Sequence, residues 1–427
     1  SVPLPQGRGG GVIFPARRYE WRQSLPAGPT PLTASIPPAF APLPRPEVVE
    51  LTSSSIRDIA NAGMGRTDIA AFWFGESDLP TPQFIVEAGM AAMARGETRY
   101  IHNLGMQSLR EAIAGYSSRL HGIELPASRI AVTSSGVSAL MIAMQMVLSP
   151  DDKAVVVTPI WPNIAGMPRL IGADVIRHPL IIENGRWRLD AEALIARLTP
   201  DVRMLVVNSP NNPTGWTIAR EDQQRLLAHC RKHGIWILSD EVYERLCFRP
   251  DEPVAPSMLA VAAPEDRLMV INSFSKSWRM TGWRIGWLTM PEGLMADLPK
   301  VIEYNTSCVP GFVQGGAQAA VSDPRGEESI GELRDGLIAS RTALIEGLRE
   351  IGGIEAPEAD GAMYTFFRME GHTDSLATAK ALVAEAGLGL APGSAFGPEA
   401  EGWLRWCYAA DARKIADGLE RLKRFLG

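Results

Sequence analysis

From residue 83 onward the chain alternates two hydrophobic periods. Short runs of almost continuously apolar residues predict buried strands at 130–133, 154–157, 173–176, 204–207, 235–238, 268–271 and 285–288. Between them, apolar positions recur at helical spacing, as in 138–148, 190–198 and 220–233. Strands that are apolar on both faces and separated by helices predict an α/β domain with a large, mostly parallel sheet. Past residue 326 the pattern changes to helices at 330–348, 375–385 and 410–425, interrupted by strand-like runs at 363–368 and 404–409. That predicts a second, smaller α+β domain. The segment before residue 80 is expected to return to it, with a helix beginning after the Ser53–Ser55 cluster and 72–82 as a glycine-containing loop. The domain reading is therefore 83–321 as the large domain and 49–82 with 322–427 as the small one. Residues 1–48 are an arm, in which Gly9, Gly10 and Gly11 run together and Pro37, Pro38, Pro42, Pro44 and Pro46 break any regular element. The arm is either ordered against a partner subunit or a loose terminus.

Composition narrows the picture. At 427 residues the chain exceeds the length of about 250–300 at which one core stops growing. A hydrophobic fraction of 46% and a charged fraction of 21% exclude a disordered chain. The 48 acidic against 42 basic residues give a net charge of −6, which argues against a globally basic nucleic-acid binder. No apolar run approaches the ~20 residues of a membrane span. Cys230, Cys247, Cys308 and Cys407 are far apart and form neither a zinc pattern nor a disulfide framework, so a reduced cytoplasmic setting is expected. His229 and His233 stand four apart but lack a third ligand, so no metal is expected.

The chemistry concentrates where strands end. After the strand at 268–271 comes Asn272-Ser-Phe-Ser-Lys276-Ser-Trp-Arg-Met-Thr-Gly-Trp-Arg284-Ile-Gly286. A lysine there can bond covalently to the aldehyde of pyridoxal phosphate and afterwards shuttle protons. Arg284 can clamp a phosphate, and Ser273 and Ser275 are short hydroxyl donors that complete a phosphate cup. Thr133-Ser134-Ser135-Gly136-Val137-Ser138 joins a strand to a helix, where free amides either bind a dianion or are simply capped by the serines. Asp240 and Tyr243 follow the strand at 235–238; a carboxylate at that end suits a site, though it also suits a helix cap.

The segment SFSKSWRMTGWRIG closely resembles the cofactor-lysine signature of the class I/II aminotransferases, a branch of the fold-type I pyridoxal-phosphate enzymes. The resemblance spans roughly residues 50–425. It implies a coenzyme held between a large and a small domain, with Lys276 as the covalent anchor and Arg284 on the phosphate. It further implies that Asn212, in Asn211-Asn212-Pro213-Thr214-Gly215, and Tyr243 bond the phenolic oxygen, and that Asp240 keeps the ring nitrogen protonated. Trp161, in Thr158-Pro-Ile-Trp161-Pro162-Asn163, takes the ring-stacking position. Ser135, Gly136 and Val137 take the phosphate-cup positions, where valine replaces the more usual threonine or serine. Arg405 would pair with the substrate α-carboxylate near Gly75, and Tyr100 would reach the phosphate of a neighbouring subunit, which implies a homodimer.

The activity so implied is ping-pong transamination between an amino acid and a 2-oxo acid. The same anchors also serve β-eliminating lyases of this fold, which remain the alternative. A second arginine for dicarboxylate substrates cannot be placed among the residues around Asn305-Thr306-Ser307-Cys308, and Arg279 or an arginine of the arm is left as the source of that charge. Trp73 and Phe74, next to Gly75, favour neutral or aromatic donors instead, provided they face the substrate.

Overall fold

The computed structural model describes residues Pro44–Gly427. The seven expected strands form one sheet, in the spatial order Ile130–Thr133, Gly286–Thr289, Leu268–Ser273, Trp236–Asp240, Val202–Asn208, Lys153–Thr158, Asp174–Pro179. Gly286–Thr289 runs antiparallel to both its neighbours. Every other pairing in this sheet is parallel.

Alternation along these strands explains their unbroken apolar sequence. Val155, Val157, Leu205, Val207, Ile237 and Val270 join one core cluster, with the helices Gln107–His121, Arg220–His233 and Gly311–Ser322. Ala154, Val156, Met204, Val206, Leu238 and Met269 join the other, with Gly136–Val147, Pro162–Ile171 and Leu298–Glu303. Successive side chains point to opposite faces, so a sheet covered on both faces needs apolar residues at every position. Parallel neighbours also need crossover helices, and these end sharply: Gly172 and Gly234 take φ of +94° and +68° just past Pro162–Ile171 and Arg220–His233.

A smaller antiparallel sheet follows, ordered Ile354–Glu355, Tyr364–Met369, Trp403–Cys407, Ala391–Pro392. Pro324–Glu350 and Ala412–Leu426 are its long helices. Ala70–Ala71 pairs in parallel with Leu388–Gly389, which ties the chain before residue 80 to elements of the last third.

Differences from expectation have local causes. The helix expected at 330–348 begins at Pro324, because its first turns carry Arg325, Gly326, Glu327 and Glu328 and show no apolar period; Asp323 caps it by accepting from Arg325 N at 3.0 Å. The helix expected at 375–385 is α-helical only over Ser375–Ala381 and then widens into a π-turn over Leu382–Ala386. A hairpin, Ile181–Glu183 with Arg186–Arg188, was not expected, although its Asn184-Gly185 turn, with φ of +52° and +72°, is a strong hairpin signal. Pro46 does not break regular structure: it opens the one-turn helix Pro46–Val49, where its missing N–H costs nothing. Residues 1–43 of the arm lie outside the described residues.

Among the described residues no helix is long and apolar enough to cross a membrane, and no group of three or more His, Cys, Asp or Glu is placed to hold a metal. His229 and His233 have ring centroids 4.5 Å apart, and His229 Nε2 bonds the Leu198 carbonyl at 2.7 Å. The four cysteines are free.

Candidate active site

The C-terminal ends of the parallel strands converge on a cavity of about 490 Å³. This is where an open α/β sheet presents its loops to a ligand. Asn208 and Asp240 end adjacent strands as register partners. Asn208 ties the neighbouring loop down, donating from Nδ2 to the Asp240 carbonyl at 3.1 Å and accepting from Asn212 N at 2.8 Å.

Asp240 lines the cavity at 3% exposure. Among the described residues its carboxylate accepts one hydrogen bond, from Val242 N at 3.3 Å. Burial raises its pKa to about 7, with Glu241 adding to the rise and Lys276 opposing it. Such a carboxylate is suited to a cationic N–H, which would restore its ionised form.

Lys276 lies in a single helical turn, Phe274–Ser277, directly after Leu268–Ser273. Ser273 caps that turn, accepting from Ser275 N at 3.1 Å. Lys276 Nζ reaches the cavity and donates to the Gly75 carbonyl at 2.5 Å. Burial lowers its pKa to about 8; the nearby Arg405 and Arg284 also lower it, while Cys407 and Glu76 oppose them. A lowered amine pKa is what a lysine needs to act as nucleophile and base near neutrality.

An anion cradle stands beside this lysine. Gly136 and Val137 open the helix Gly136–Val147 toward the cavity, with Ser273, Ser275 and Arg284 also lining it. The amides of a helix's first turn have no helical partner and favour negative charge. Ser135 is the N-cap, held at φ +121° and accepting from Ser138 N at 3.2 Å. The cap uses its hydroxyl oxygen as acceptor and leaves the O–H able to donate. Gly286 passes beneath: a Cβ there would lie 2.8 Å from Gly136 N and 2.7 Å from the Asn272 carbonyl.

The last group comes from the smaller sheet. Arg405, on Trp403–Cys407, is 2% exposed and donates from Nη1 to Asn212 Oδ1 at 3.0 Å and from Nη2 to the Trp73 carbonyl. Among the described residues its buried Nε has no partner. A buried guanidinium facing neutral acceptors is poised for a carboxylate. The same contact turns the Asn212 amide so that its N–H₂ is left to donate elsewhere. Tyr243 is buried, and its hydroxyl lies 2.6 Å from that of Tyr364. Gly75 is required by close approach, since a Cβ would meet the Tyr364 hydroxyl at 2.0 Å.

The structure thus brings Gly75, Gly136, Val137, Trp161, Asn212, Asp240, Tyr243, Ser273, Ser275, Lys276, Arg284 and Arg405 to one cavity, with Ser135 supporting it. Tyr100 is not there: it is 90% exposed and does not line the cavity of its own chain. Sequence reading missed Asn208, Tyr364 and Arg57, all of which line the cavity. Asn208 stands three residues before the turn segment that begins at Asn211. Tyr364 and Arg57 carried no local signal.

These groups fit pyridoxal phosphate on their own chemistry: a buried carboxylate short of a cation, a cradle of free amides with serine and arginine for a dianion, and a lysine of lowered pKa. Fold and site together define a pyridoxal-phosphate enzyme of fold type I. The family model described as aminotransferase class I and II matches residues 70–422, and the chain belongs to that family. It is 31% identical over 363 residues to a probable aspartate/prephenate aminotransferase of Aquifex aeolicus, covering 84% of this chain and 91% of that one. It is 30% identical over 375 residues to aromatic-amino-acid aminotransferase 2 of Thermococcus litoralis, covering 87% and 95%. A solved structure of a mutant Thermus thermophilus aspartate aminotransferase superposes with a TM-score of 0.84 at 29% identity, covering 90% of this chain and 99% of that chain. The protein is a pyridoxal-phosphate-dependent aminotransferase, moving an amino group between an amino acid and a 2-oxo acid.

Proposed function

We propose that the preferred amino donors carry neutral side chains, aliphatic or aromatic, rather than the carboxylate of aspartate. The observation that carries this is the apolar part of the cavity wall not assigned to the coenzyme, Ile56, Trp73, Phe74 and Leu140. Burying an aliphatic or aromatic side chain there gains about 25 cal/mol per Å² of apolar area.

The residues divide the work as follows. Arg405 pairs with the substrate α-carboxylate and sets its orientation. Gly136, Val137, Ser273, Ser275 and Arg284 hold the phosphate. Trp161 stacks on the ring. Asp240 holds a proton at the ring nitrogen, while Asn212 and Tyr243 donate to the ring oxygen. The coenzyme, when bound, supplies an electron-accepting ring that stabilises the charge left by a departing α-proton. Lys276 Nζ would carry that proton between the substrate α-carbon and the coenzyme's aldehyde carbon within each half-reaction, in opposite directions in the two.

The active unit in this reading is a homodimer in which Tyr100, exposed and away from its own cavity, completes the phosphate site of the other subunit. Residues 83–321 are its large domain, and 49–82 with 322–427 its small one. Four free cysteines suit a reducing cytoplasm.

Comparing kcat/KM for phenylalanine, leucine, alanine and aspartate with one 2-oxo acceptor tests the donor assignment. Neutral donors should lead, and a preference for aspartate of more than about tenfold, ~1.4 kcal/mol, overturns it. Loss of a β-substituent in place of amination of the acceptor would identify a lyase. Borohydride reduction should attach the coenzyme to the peptide carrying Lys276; attachment at another lysine would refute that role.

A further inference from the structure

Arg405 belongs to the smaller sheet, yet the two aromatic rings against its guanidinium are both tied to the large one. Its Cζ stands 4.5 Å from the centroid of the Tyr364 ring and 5.0 Å from that of Phe396. Tyr364 is tied through its hydroxyl, 2.6 Å from that of Tyr243. Phe396 is tied through its carbonyl, which accepts from Ile160 N at 3.2 Å and from Arg177 Nη2 at 2.8 Å. Arg177 lies on Asp174–Pro179, the edge strand of the large sheet. Its fork also holds Glu399, with Nη2 on Oε1 at 2.7 Å and Nε on Oε2 at 3.0 Å. The chain between Phe396 and Glu399 is shaped to that guanidinium: Gly397 takes φ of +134°, and a Cβ there would collide with Arg177 Nη2. Side-chain exposures of 26% and 20% leave the Arg177–Glu399 pair partly withdrawn from water, where salt screens it less than a surface pair.

We infer that Arg177 is a positioning residue for Arg405: by holding the Phe396 carbonyl and Glu399, it fixes the Phe396 ring against the Arg405 guanidinium and so the plane in which Arg405 meets a carboxylate. The inference rests on the reading above, in which Arg405 takes the substrate α-carboxylate. The bonds from Nη1 to Asn212 and from Nη2 to the Trp73 carbonyl leave the planar group free to tilt about the line joining those two nitrogens. Aromatic faces against it remove that freedom. The orientation matters because a bidentate carboxylate must lie nearly in the guanidinium plane. Arg177 does not line the cavity, so it acts through Phe396 and not by touching substrate. What it protects is common to every amino and 2-oxo acid, since all carry the α-carboxylate. Its loss should therefore weaken binding of all of them alike and leave the chemical step largely intact.

The test uses coenzyme-loaded wild-type enzyme, Arg177→Gln, Arg177→Lys, Arg405→Lys and the double variant Arg177→Gln/Arg405→Lys. Isothermal titration with the non-reacting monoacid 3-phenylpropionate gives carboxylate affinity, and kcat and KM for phenylalanine and pyruvate give the kinetic counterpart. Arg177→Gln should weaken 3-phenylpropionate by at least about threefold and raise both KM values by a similar factor, with kcat within about twofold of wild type. Coenzyme affinity and the visible band should stay at their wild-type values, and Arg177→Lys should recover part of the loss. In the Arg405→Lys background the same Arg177→Gln change should cost less than about twofold, because the group it positions is already gone. A loss below about threefold in Arg177→Gln, an equal loss in both backgrounds, no recovery in Arg177→Lys, or coenzyme affinity falling in step would each overturn the inference. Unweakened binding of 3-phenylpropionate by Arg405→Lys would instead refute the α-carboxylate reading on which it rests.

Discussion

The hydroxyl oxygens of Tyr243 and Tyr364 lie 2.6 Å apart, joining the loop after Trp236–Asp240 to the first residue of Tyr364–Met369. Both rings are buried, and burial first of all raises both phenol pKa values, so the pair is neutral and shares its protons. With Tyr364 donating, Tyr243 keeps its own proton free to donate into the cavity and is the better donor for it. Tyr364→Phe should therefore weaken Tyr243 as a partner of the ring oxygen. The pH midpoint of the bound coenzyme's visible band should rise by roughly half a unit, with kcat/KM down by about three- to thirtyfold. A spectrophotometric pH titration beside steady-state kinetics checks both, and an unchanged midpoint would separate Tyr364 from the coenzyme.

Asp240 should cost stability wherever it is ionised and unpaired. Its pKa is raised to about 7 by burial, above an ordinary carboxylate value of about 3.9. The folded chain therefore binds a proton that the unfolded chain has released, and stability falls as pH rises from about 4 to about 7. Asp240→Asn removes that dependence. With coenzyme stripped, the variant should gain roughly 1–4 kcal/mol over wild type at pH 8 and much less at pH 5, yet bind coenzyme poorly. Thermal unfolding of the two stripped proteins at both pH values measures this.

Arg405→Lys keeps the charge but loses the planar fork that meets Asn212 Oδ1 and the Trp73 carbonyl. KM should rise at least about tenfold for amino and oxo substrates alike, while the bound-coenzyme spectrum stays close to wild type. Normal KM values in a folded variant would remove Arg405 from the α-carboxylate.

Away from the cavity, His121 Nε2 and Glu244 Oε2 form a buried pair at 2.9 Å. Burial opposes charge on the imidazole, but the hydrogen bond and charge of Glu244, with Glu241 adding, outweigh it and hold the His121 pKa above its usual value. A raised folded pKa gives stability that is complete below the unfolded value of about 6.5 and disappears as pH rises through the folded one. His121→Gln should thus be destabilised relative to wild type by more at pH 6 than at pH 9, on the order of 1 kcal/mol more. Urea unfolding at the two pH values would show it; an equal deficit at both would mean the imidazole is neutral throughout.

What could be read ahead of the structure follows from how local each signal is. Lys276 and Arg284 sit in one continuous segment, Asp240 ends a recognisable apolar strand and Asn212 lies in the turn just after another, so short strings sufficed. The sheet was legible for a related reason: a strand buried on both faces, such as Val202–Asn208, shows its burial in consecutive residues. Tyr364 and Arg57 were not legible. Tyr364 touches a hydroxyl 121 positions away and otherwise reads as an ordinary core aromatic. Arg57 is an exposed arginine on a short helix, and only the folded chain puts it on Phe74. The missed start at Pro324 has the opposite cause, a solvated first turn that offers no apolar period to detect.

The placement of the cavity's outer wall has a consequence for how such an enzyme can diversify. Ile56, Arg57 and Phe74 belong to the segment before residue 80, whereas Asp240 ends a strand of the large sheet and Lys276 and Arg284 lie in the connection between its strands Leu268–Ser273 and Gly286–Thr289. Substitutions in that short early segment alter which side chain is welcomed without disturbing the reacting atoms. A library confined to positions 54, 55, 57 and 74, which spares the buried Ile56, is accordingly a compact search space for retuning substrate choice.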